Sequence, residues 1–164
     1  MTVKIFGCGG TVDKCYNELK GELYFKGPHL RSMLEQSRFY SSCSVEYLMM
    51  KDSLDMTDQD RVTVLQACRK CLEDKIVIAH GTDTMPETAN VLGENIDNKT
   101  IVLFGAMIPF VFGKSDALFN FGCAVIAVQH LDRGVYVTKN GYAFPWYDVK
   151  KNKEIGVFQH SLEV

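Results

Sequence analysis

The chain has 164 residues, of which 46% are hydrophobic and 23% charged, and its formal net charge is −2. This composition is typical of a globular protein and excludes an intrinsically disordered chain. A near-neutral chain without a basic segment also argues against a nucleic-acid partner or a membrane partner. A chain of this length buries roughly two thirds of its unfolded surface, so we expect a single domain over residues 1–164.

Five short apolar segments alternate with helical patterns along the chain. The apolar segments predict β-strands at 3–6, 45–50, 76–79, 101–104 and 134–138, and helices are predicted at 28–38, 57–73, 84–94 and 116–131. Four of the strands are almost wholly apolar, as strands are when both faces of a parallel sheet are covered. The alternation predicts an α/β fold with an open, mostly parallel sheet and helices on both faces, a three-layer arrangement that is Rossmann-like or flavodoxin-like.

The cysteines indicate a reducing compartment. No N-terminal segment has the length and character of a secretory signal, so we expect a cytoplasmic protein whose six cysteines stay reduced. Cys68 and Cys71 have ligand-like spacing, but no second CxxC or HxxxH accompanies them. They also fall late in a predicted helix, whereas a redox pair normally begins one. We interpret both as ordinary packed cysteines and expect no metal site.

Ligands of open α/β sheets bind beyond the carboxyl ends of the strands. The loops at that edge are 7–27, 51–56, 80–84, 105–116 and the segment after 138. The first begins with a glycine-rich turn that ends in the hydroxyl of Thr11, but it contains neither GxGxxG nor a Walker sequence. The third has Thr82, Asp83 and Thr84 in succession, although a helix N-cap needs only one such residue. The alternative is that these side chains only bond their own turn or cap the helix.

Two hydroxyls and a carboxylate at neighbouring strand ends are typical of a nucleophilic acyl-transfer site. A threonine hydroxyl is a poor nucleophile near neutral pH and needs an adjacent base. His80 lies at the inner end of a strand and the other histidines lack a polar context. A lysine buried beside the hydroxyls can act instead, because burial lowers the pKa of an ammonium group. Spacing does not choose between the candidates, which are Lys139, Lys150, Lys151 and Lys153.

Five motifs follow one another in the chain. They are Gly9-Gly10-Thr11, His80-Gly81-Thr82-Asp83-Thr84-Met85, Gly105-Ala106-Met107 with Pro109, Ser115-Asp116 with Phe119-Asn120, and Gly134-Val135 followed by Asp148-Val149-Lys150-Lys151. In this order they resemble the motifs of the bacterial-type L-asparaginase/glutaminase family, over about residues 3–157. The resemblance implies an amidohydrolase that converts L-asparagine and water to L-aspartate and ammonia. It implies a small amino-acid amide as substrate, and no metal or organic cofactor.

The resemblance also implies catalytic roles for four side chains. Thr11 resembles the nucleophile that attacks the side-chain amide carbonyl and forms a threonyl acyl-enzyme. Thr82, Lys151 and Asp83 resemble a second catalytic group that handles protons. Asp83 would also pair with the α-ammonium group of the substrate through a charge-assisted bond.

Further residues are expected to bind the substrate or cover it. Ser53 resembles the residue that binds the α-carboxylate. The backbone of Gly81 and its neighbours would supply an oxyanion hole. Tyr24 has the family's spacing for a lid tyrosine that would assist catalysis, and Tyr16 is a nearby alternative.

The chain departs from the long family members in three respects. It ends at Val164, where they continue into a second domain that completes a partner's site, so it resembles their N-terminal domain alone and the short, single-domain branch. Leu54 replaces the amide residue that usually follows the serine, and Ile108 replaces the arginine that usually precedes the proline. We expect weaker substrate affinity unless a homo-oligomer, a dimer or tetramer, supplies substitutes. Hydrolysis of another small amide, such as L-glutamine, and non-catalytic metabolite binding remain open.

Overall fold

The computed structural model describes residues 2–161, and its secondary structure alternates as predicted. The elements are β1 (Val3–Gly9), β2 (Lys14–Asn17), β3 (Glu22–Phe25), α1 (Leu30–Gln36), β4 (Cys43–Lys51), α2 (Asp58–Lys70), β5 (Lys75–Ala79), α3 (Met85–Gly93), β6 (Thr100–Phe104), α4 (Ala117–His130), β7 (Gly134–Lys139), β8 (Tyr142–Pro145), β9 (Lys150–Asn152) and β10 (Val157–Gln159). Short 3₁₀ turns occupy Thr11–Asp13, Ser53–Asp55 and Phe110–Phe112.

The central sheet has six strands in the order β4-β1-β5-β6-β7-β8. Its first five strands are parallel, and β8 pairs antiparallel with β7 at one edge. The predicted open, mostly parallel sheet is therefore confirmed. The carboxyl ends of the parallel strands lie at the same edge of the sheet, which brings the loops that follow them together.

The prediction was wrong for two segments that it treated as loops. The segment 7–27 contains an antiparallel hairpin of β2 and β3, and the segment after 138 contains β8 and a second hairpin of β9 and β10. These strands have three or four residues each and are largely half-buried or exposed. Such short strands lack the continuous apolar run or sustained alternation that identifies a strand in a sequence.

Apolar residues on both faces of the sheet form two core clusters, as the predicted helices on both faces require. Along β5, Ile76 and Ile78 belong to one cluster while Val77 and Ala79 belong to the other. Successive strand residues point to opposite faces, so a strand covered on both sides is apolar throughout. Residues of α2 and α3 pack in the first cluster, and residues of α1 and α4 pack in the second.

The helices begin where local sequence directs them. Thr57 and Asp60 form a reciprocal capping box at the start of α2, which satisfies two backbone donors. Cys68 is buried within α2 and Cys71 follows its last residue, and all six cysteines are free thiols. In the described part of the chain, no helix has both the length and the apolar character needed to cross a membrane.

Candidate active site

Three loops meet closely at the carboxyl edge of the sheet. Gly10 has φ +81°, and a Cβ there would lie 2.4 Å from the backbone nitrogen of Gly81. A Cβ on Gly81 would in turn lie 2.6 Å from Cβ of Ser53. Only residues without a side chain permit these approaches. Because Gly10 and Gly81 directly precede Thr11 and Thr82, this contact brings the two threonine turns against each other.

Lys151 reaches two of the predicted site residues from a distant part of the chain. Its Nζ donates to Oγ1 of Thr82 at 2.8 Å and to Oδ1 of Asp83 at 2.7 Å. The side chain of Lys151 is only 7% exposed, whereas that of Asp83 is 34% exposed. The ammonium group thus lies inside the protein, and one side of its carboxylate partner faces the outside. The structure brings together Thr82, Asp83 and Lys151.

Ser53 is fully buried beneath the Thr82 turn. Its Oγ accepts hydrogen bonds from the backbone N–H groups of Asp83 and Thr84, at 3.2 and 3.3 Å. The hydroxyl of Thr84 donates to the backbone carbonyl of Ser53 at 2.8 Å, so Thr84 does not cap α3 with its side chain. Ser53 therefore fixes the backbone that carries Thr82 and Asp83. Because Ser53 is fully buried, its contact with a substrate carboxylate stays a prediction.

The loop after β6 covers the other side of Thr82. The Thr82 hydroxyl lies 3.6 Å from Sδ of Met107, and Asp116 accepts hydrogen bonds from the backbone N–H groups of Met107 and Ile108. Asp116 also forms a 2.5 Å ion pair with Lys139, whose side chain is 1% exposed. Burial alone would raise the pKa of the Asp116 carboxyl, but the hydrogen bond from Lys139 and the backbone donors hold it below its usual value. Lys139 is therefore tied to Asp116.

Thr11 is half-buried at the start of its 3₁₀ turn, and the hairpin of β2 and β3 follows it directly. In that hairpin Tyr24 pairs with Cys15, and Tyr16 pairs with Leu23. Residues that pair across the hairpin point to the same face, and neighbours within one strand point to opposite faces. Tyr16 is next to Cys15, which is the partner of Tyr24, so the two tyrosines point to different faces of the hairpin. Tyr16 is 53% exposed and Tyr24 is half-buried. Only one of them can face a substrate beside Thr11 without a rotation of the hairpin.

The remaining candidate lysines and histidines have other surroundings. Lys150 donates to the backbone carbonyl of Ser161. His160 lies 2.7 Å from an Asp148 carboxylate oxygen, so the interpretation that it lacks a polar partner was wrong. His80 is fully buried, and burial lowers its pKa to about 4. It is therefore neutral at pH 7.

Asp13 is a fully buried carboxylate only two residues from Thr11, and no sequence pattern predicted a role for it. Its type and position were visible, but burial of a carboxylate that follows a polar turn is a tertiary property. Among residues 2–161, no three His, Cys, Asp or Glu side chains cluster as a metal site requires. The expectation that the chemistry needs neither a metal nor an organic cofactor stays a prediction.

A family model and two relatives show which known proteins the chain is similar to. A family model for the N-terminal domain of asparaginase matches residues 2–158. L-asparaginase 2 of Escherichia coli K12 is 29% identical over 167 residues, which cover 94% of this chain and 47% of the relative. A component of the glutamyl-tRNA(Gln) amidotransferase of Aeropyrum pernix is 29% identical over 135 residues, which cover 77% of this chain and 32% of the relative.

A solved structure has the same fold. The thermostable L-asparaginase from Thermococcus kodakarensis superposes with a TM-score of 0.86 at 26% identity, over 98% of this chain and 51% of that one. This chain spans about half the length of the asparaginases it matches. Since the family model matches nearly the whole sequence and the fold agrees, the chain belongs to the asparaginase family and corresponds to its N-terminal domain.

Proposed function

We propose that this protein hydrolyses the side-chain amide of L-asparagine, giving L-aspartate and ammonia. The observation that carries the proposal is the buried Lys151 ammonium group, which bonds both the Thr82 hydroxyl and the Asp83 carboxylate. A lysine held between a hydroxyl and a carboxylate is equipped to move protons during acyl transfer. Membership of the asparaginase family supports amidohydrolase chemistry.

Thr11 is the proposed nucleophile. Its Oγ1 attacks the amide carbonyl carbon, ammonia leaves, and an ester joins Thr11 to the aspartyl group. Water then attacks this ester and releases L-aspartate. Backbone N–H groups near Gly81 and Thr82 would stabilise the oxyanion of each tetrahedral intermediate, a type of contact that contributes about 3–4 kcal/mol where it has been removed by mutation.

The second catalytic group is proposed to manage the protons of both steps. In its neutral amine form, Lys151 would take up the proton of the attacking hydroxyl or water by way of the Thr82 hydroxyl, and the ammonium group so formed would return that proton to the leaving amide nitrogen. Asp83 holds the ammonium group of Lys151 in place through the 2.7 Å contact. Because a turn 69 residues earlier in the chain supplies Thr82, this relay exists only in the folded protein.

Substrate recognition is proposed to use the charges of a free amino acid. The Asp83 carboxylate is partly exposed, so it can bind the α-ammonium group while it keeps its bond to Lys151. The hydroxyl proton of Ser53 would bind the α-carboxylate. Leu54, next to Ser53, is 66% exposed and offers no polar contact where the family usually has an amide. A second copy of the chain in a dimer or tetramer would cover this open side, and its presence is testable by sedimentation.

Two alternatives have specific support. L-Glutamine differs from L-asparagine by one methylene group, and the partly exposed Asp83 carboxylate can bind the α-ammonium group of either amino acid. The glutamyl-tRNA(Gln) amidotransferase relative indicates that related chains serve in other amide chemistry. A binding role without turnover would keep the same contacts to the substrate.

A cytoplasmic location is also part of the proposal, and it is supported by the six free thiols.

The test is ammonia release from L-asparagine, L-glutamine and buffer alone. We expect asparagine-dependent release by the unmodified protein, and its loss in Thr11→Ala and in Thr82→Val. Thr63→Ala is the matched control, because Thr63 is an exposed threonine on α2 that bonds only its own helix. Release from L-glutamine alone would overturn the substrate assignment. A thermal shift with L-asparagine but no release from folded protein would favour the binding role.

A further inference from the structure

Asp13 forms a buried contact that the proposed reaction does not use. It is the last residue of the 3₁₀ turn that begins at Thr11, and it is fully buried. Its Oδ1 accepts a hydrogen bond from the backbone N–H of His29 at 2.7 Å. His29 directly precedes α1. The bond therefore joins the residue before the hairpin to the point where the chain enters its first helix.

This bond closes a loop that contains the whole β2–β3 hairpin. The residues between Asp13 and His29 include Tyr16 and Tyr24, the two lid candidates. A neighbouring tie lies on the same hairpin, where Lys14 pairs with Asp52 next to the Ser53 turn. The base of the hairpin is thus fixed on two sides, while its tip around 18–21 is exposed.

Tyr47 completes the buried cluster. Its ring lies against Gly7, where a Cβ would approach the ring carbons within 2.4 Å. Its hydroxyl accepts a hydrogen bond from the backbone N–H of Leu30 at 2.9 Å and interacts with the Asp13 carboxyl group. Tyr47 thus packs β4 against β1 and bonds the start of α1 next to Asp13.

We propose that Asp13 is a positioning residue, which holds the β2–β3 hairpin and its two tyrosines beside the Thr11 turn by closing the base of the hairpin onto His29. The Asp13 carboxyl group is the acceptor of the His29 backbone N–H, so removal of this side chain leaves the donor without that acceptor. Because the bond spans 16 residues, its loss frees a segment of the chain and leaves the central sheet intact. The effect on catalysis rests on the proposed function, whereas the effect on hairpin opening does not.

The protonation state of the same carboxyl group makes the opening of the hairpin base depend on pH. Burial raises the pKa of Asp13 to about 6, although the backbone N–H of His29 and the Tyr47 hydroxyl lower it. The other titratable groups near it are Cys8, whose thiol pKa is raised by burial and by Asp13, and the His29 ring, whose pKa is lowered by burial. When the base opens, Asp13 meets water and its pKa returns toward 3.8. Protonation therefore favours the closed base, and opening increases as the pH rises through 6.

Amide hydrogen exchange tests the positioning role without any need for activity. In Asp13→Ala we expect exchange at residues 14–28 to accelerate at least tenfold at pH 7, and exchange in β5 and β6 to stay unchanged. Glu18→Gln, a change at the exposed hairpin tip, is the control and should leave the exchange unchanged. Equal protection of 14–28 in Asp13→Ala and the unmodified protein would overturn the proposal, and so would a uniform loss of protection across all strands.

Asp13→Asn tests the role of charge and remains informative if Asp13→Ala does not fold. Its side chain keeps an acceptor for His29 but does not titrate. After correction for intrinsic rates, we expect the ratio of hairpin exchange in the unmodified protein to that in Asp13→Asn to rise about tenfold from pH 5 to pH 8. His29 is present in both proteins, so its titration cancels in this ratio. A ratio independent of pH would overturn the link to pH.

Kinetics test what the positioning contributes to the proposed reaction. In Asp13→Ala we expect KM for L-asparagine to rise several-fold and kcat to change by a smaller factor, because the hairpin would cover the substrate and does not react. A role in stability alone would lower the active fraction and leave KM unchanged, and that result would overturn the positioning role. If the unmodified protein releases no ammonia, the proposed function fails, and hydrogen exchange still decides whether Asp13 closes the hairpin.

Discussion

Lys151 donates a 2.8 Å hydrogen bond to Thr82, a residue 69 positions earlier in the chain. The strand that carries Lys151, β9, is held by its partner β10, in which Phe158 pairs with Lys151. Phe158 is 4% exposed and belongs to a core cluster of the sheet. The position of the lysine is therefore fixed by burial of an aromatic ring on a neighbouring strand.

Replacement of Lys151 by methionine should abolish most of the amide hydrolysis. Methionine keeps the unbranched apolar stem but cannot carry a proton, and general acid–base groups typically contribute about 10²–10⁴-fold to rate. We expect kcat for L-asparagine to fall at least a hundredfold. Lys150→Met is the control, since Lys150 directs its ammonium group to Ser161. Loss of activity in Lys150→Met with retention in Lys151→Met would move the catalytic role by one position.

The central sheet was predictable because its strands are buried on both faces. Residues 76–79 and 101–104 are apolar at every position, and this pattern follows from the two core clusters that the strands separate. The hairpins were not predictable in the same way. Tyr24 opposes Cys15 in a hairpin whose strands have only four residues each, and strands this short lack the apolar run or alternation that identifies a strand in a sequence.

The polar residues that follow the strands were visible in the sequence, but the contacts among them and with the lysines were not. Thr82 and Asp83 followed from their position after a buried strand, whereas spacing left four lysines open and only the family resemblance selected Lys151. Lys139 was an equal candidate from sequence, and its pairing with Asp116 is a contact between residues 23 positions apart. The burial of Ser53 under Gly81 likewise depends on how closely two loops approach.

A methyl group at Gly81 should damage both stability and activity. The added Cβ would lie 2.6 Å from Cβ of Ser53, so one of the two loops must shift. Overpacking of this kind typically costs about 1–3 kcal/mol of unfolding free energy, and here it also displaces Thr82. Gly122→Ala is the matched control because Gly122 lies within α4 with open space around it. We expect this control to gain up to about 1 kcal/mol.

Urea unfolding and ammonia release measure the two effects of Gly81→Ala separately. Unchanged stability together with full activity in Gly81→Ala would show that the loops accommodate a side chain there. Loss of stability in Gly122→Ala to the same degree would mean that the effect is not specific to the contact with Ser53.

The ion pair of Lys139 and Asp116 should show strong coupling in a double-mutant cycle. The Lys139 side chain is 1% exposed, so Asp116→Ala leaves a buried ammonium group without its carboxylate. Removal of one partner of a buried pair typically costs about 3–5 kcal/mol. Lys139→Met in the same chain removes the unpaired charge, and we expect the double variant to be more stable than Asp116→Ala alone. Urea unfolding measures all four proteins, and strictly additive effects would show that the pair does not act as a unit.

The free energy of unfolding between pH 4.5 and pH 7 should depend on two buried groups, His80 and Asp13, whose contributions change with pH in opposite directions. Burial lowers the pKa of His80 to about 4 from its ordinary value of 6.5, so the unfolded chain binds the proton first as the pH falls. The stability that the neutral ring contributes is complete above pH 6.5 and is lost as the pH falls toward 4. Asp13 acts in reverse, because its folded pKa of about 6 exceeds its unfolded value of 3.8. Its contribution is complete below 3.8 and is lost as the pH rises through 6.

Asp13→Asn separates these two contributions. From pH 4.5 to pH 7 we expect His80 to add roughly 2–3 kcal/mol to the unfolding free energy and Asp13 to subtract about 2 kcal/mol. The unmodified protein should therefore gain about 2 kcal/mol less than Asp13→Asn over this range, because all other titrations are common to both. Urea unfolding at each pH measures the difference. Parallel pH profiles for the two proteins would show that Asp13 titrates alike in the folded and unfolded chains, and a larger gain in the unmodified protein would reverse the sign of its pKa shift.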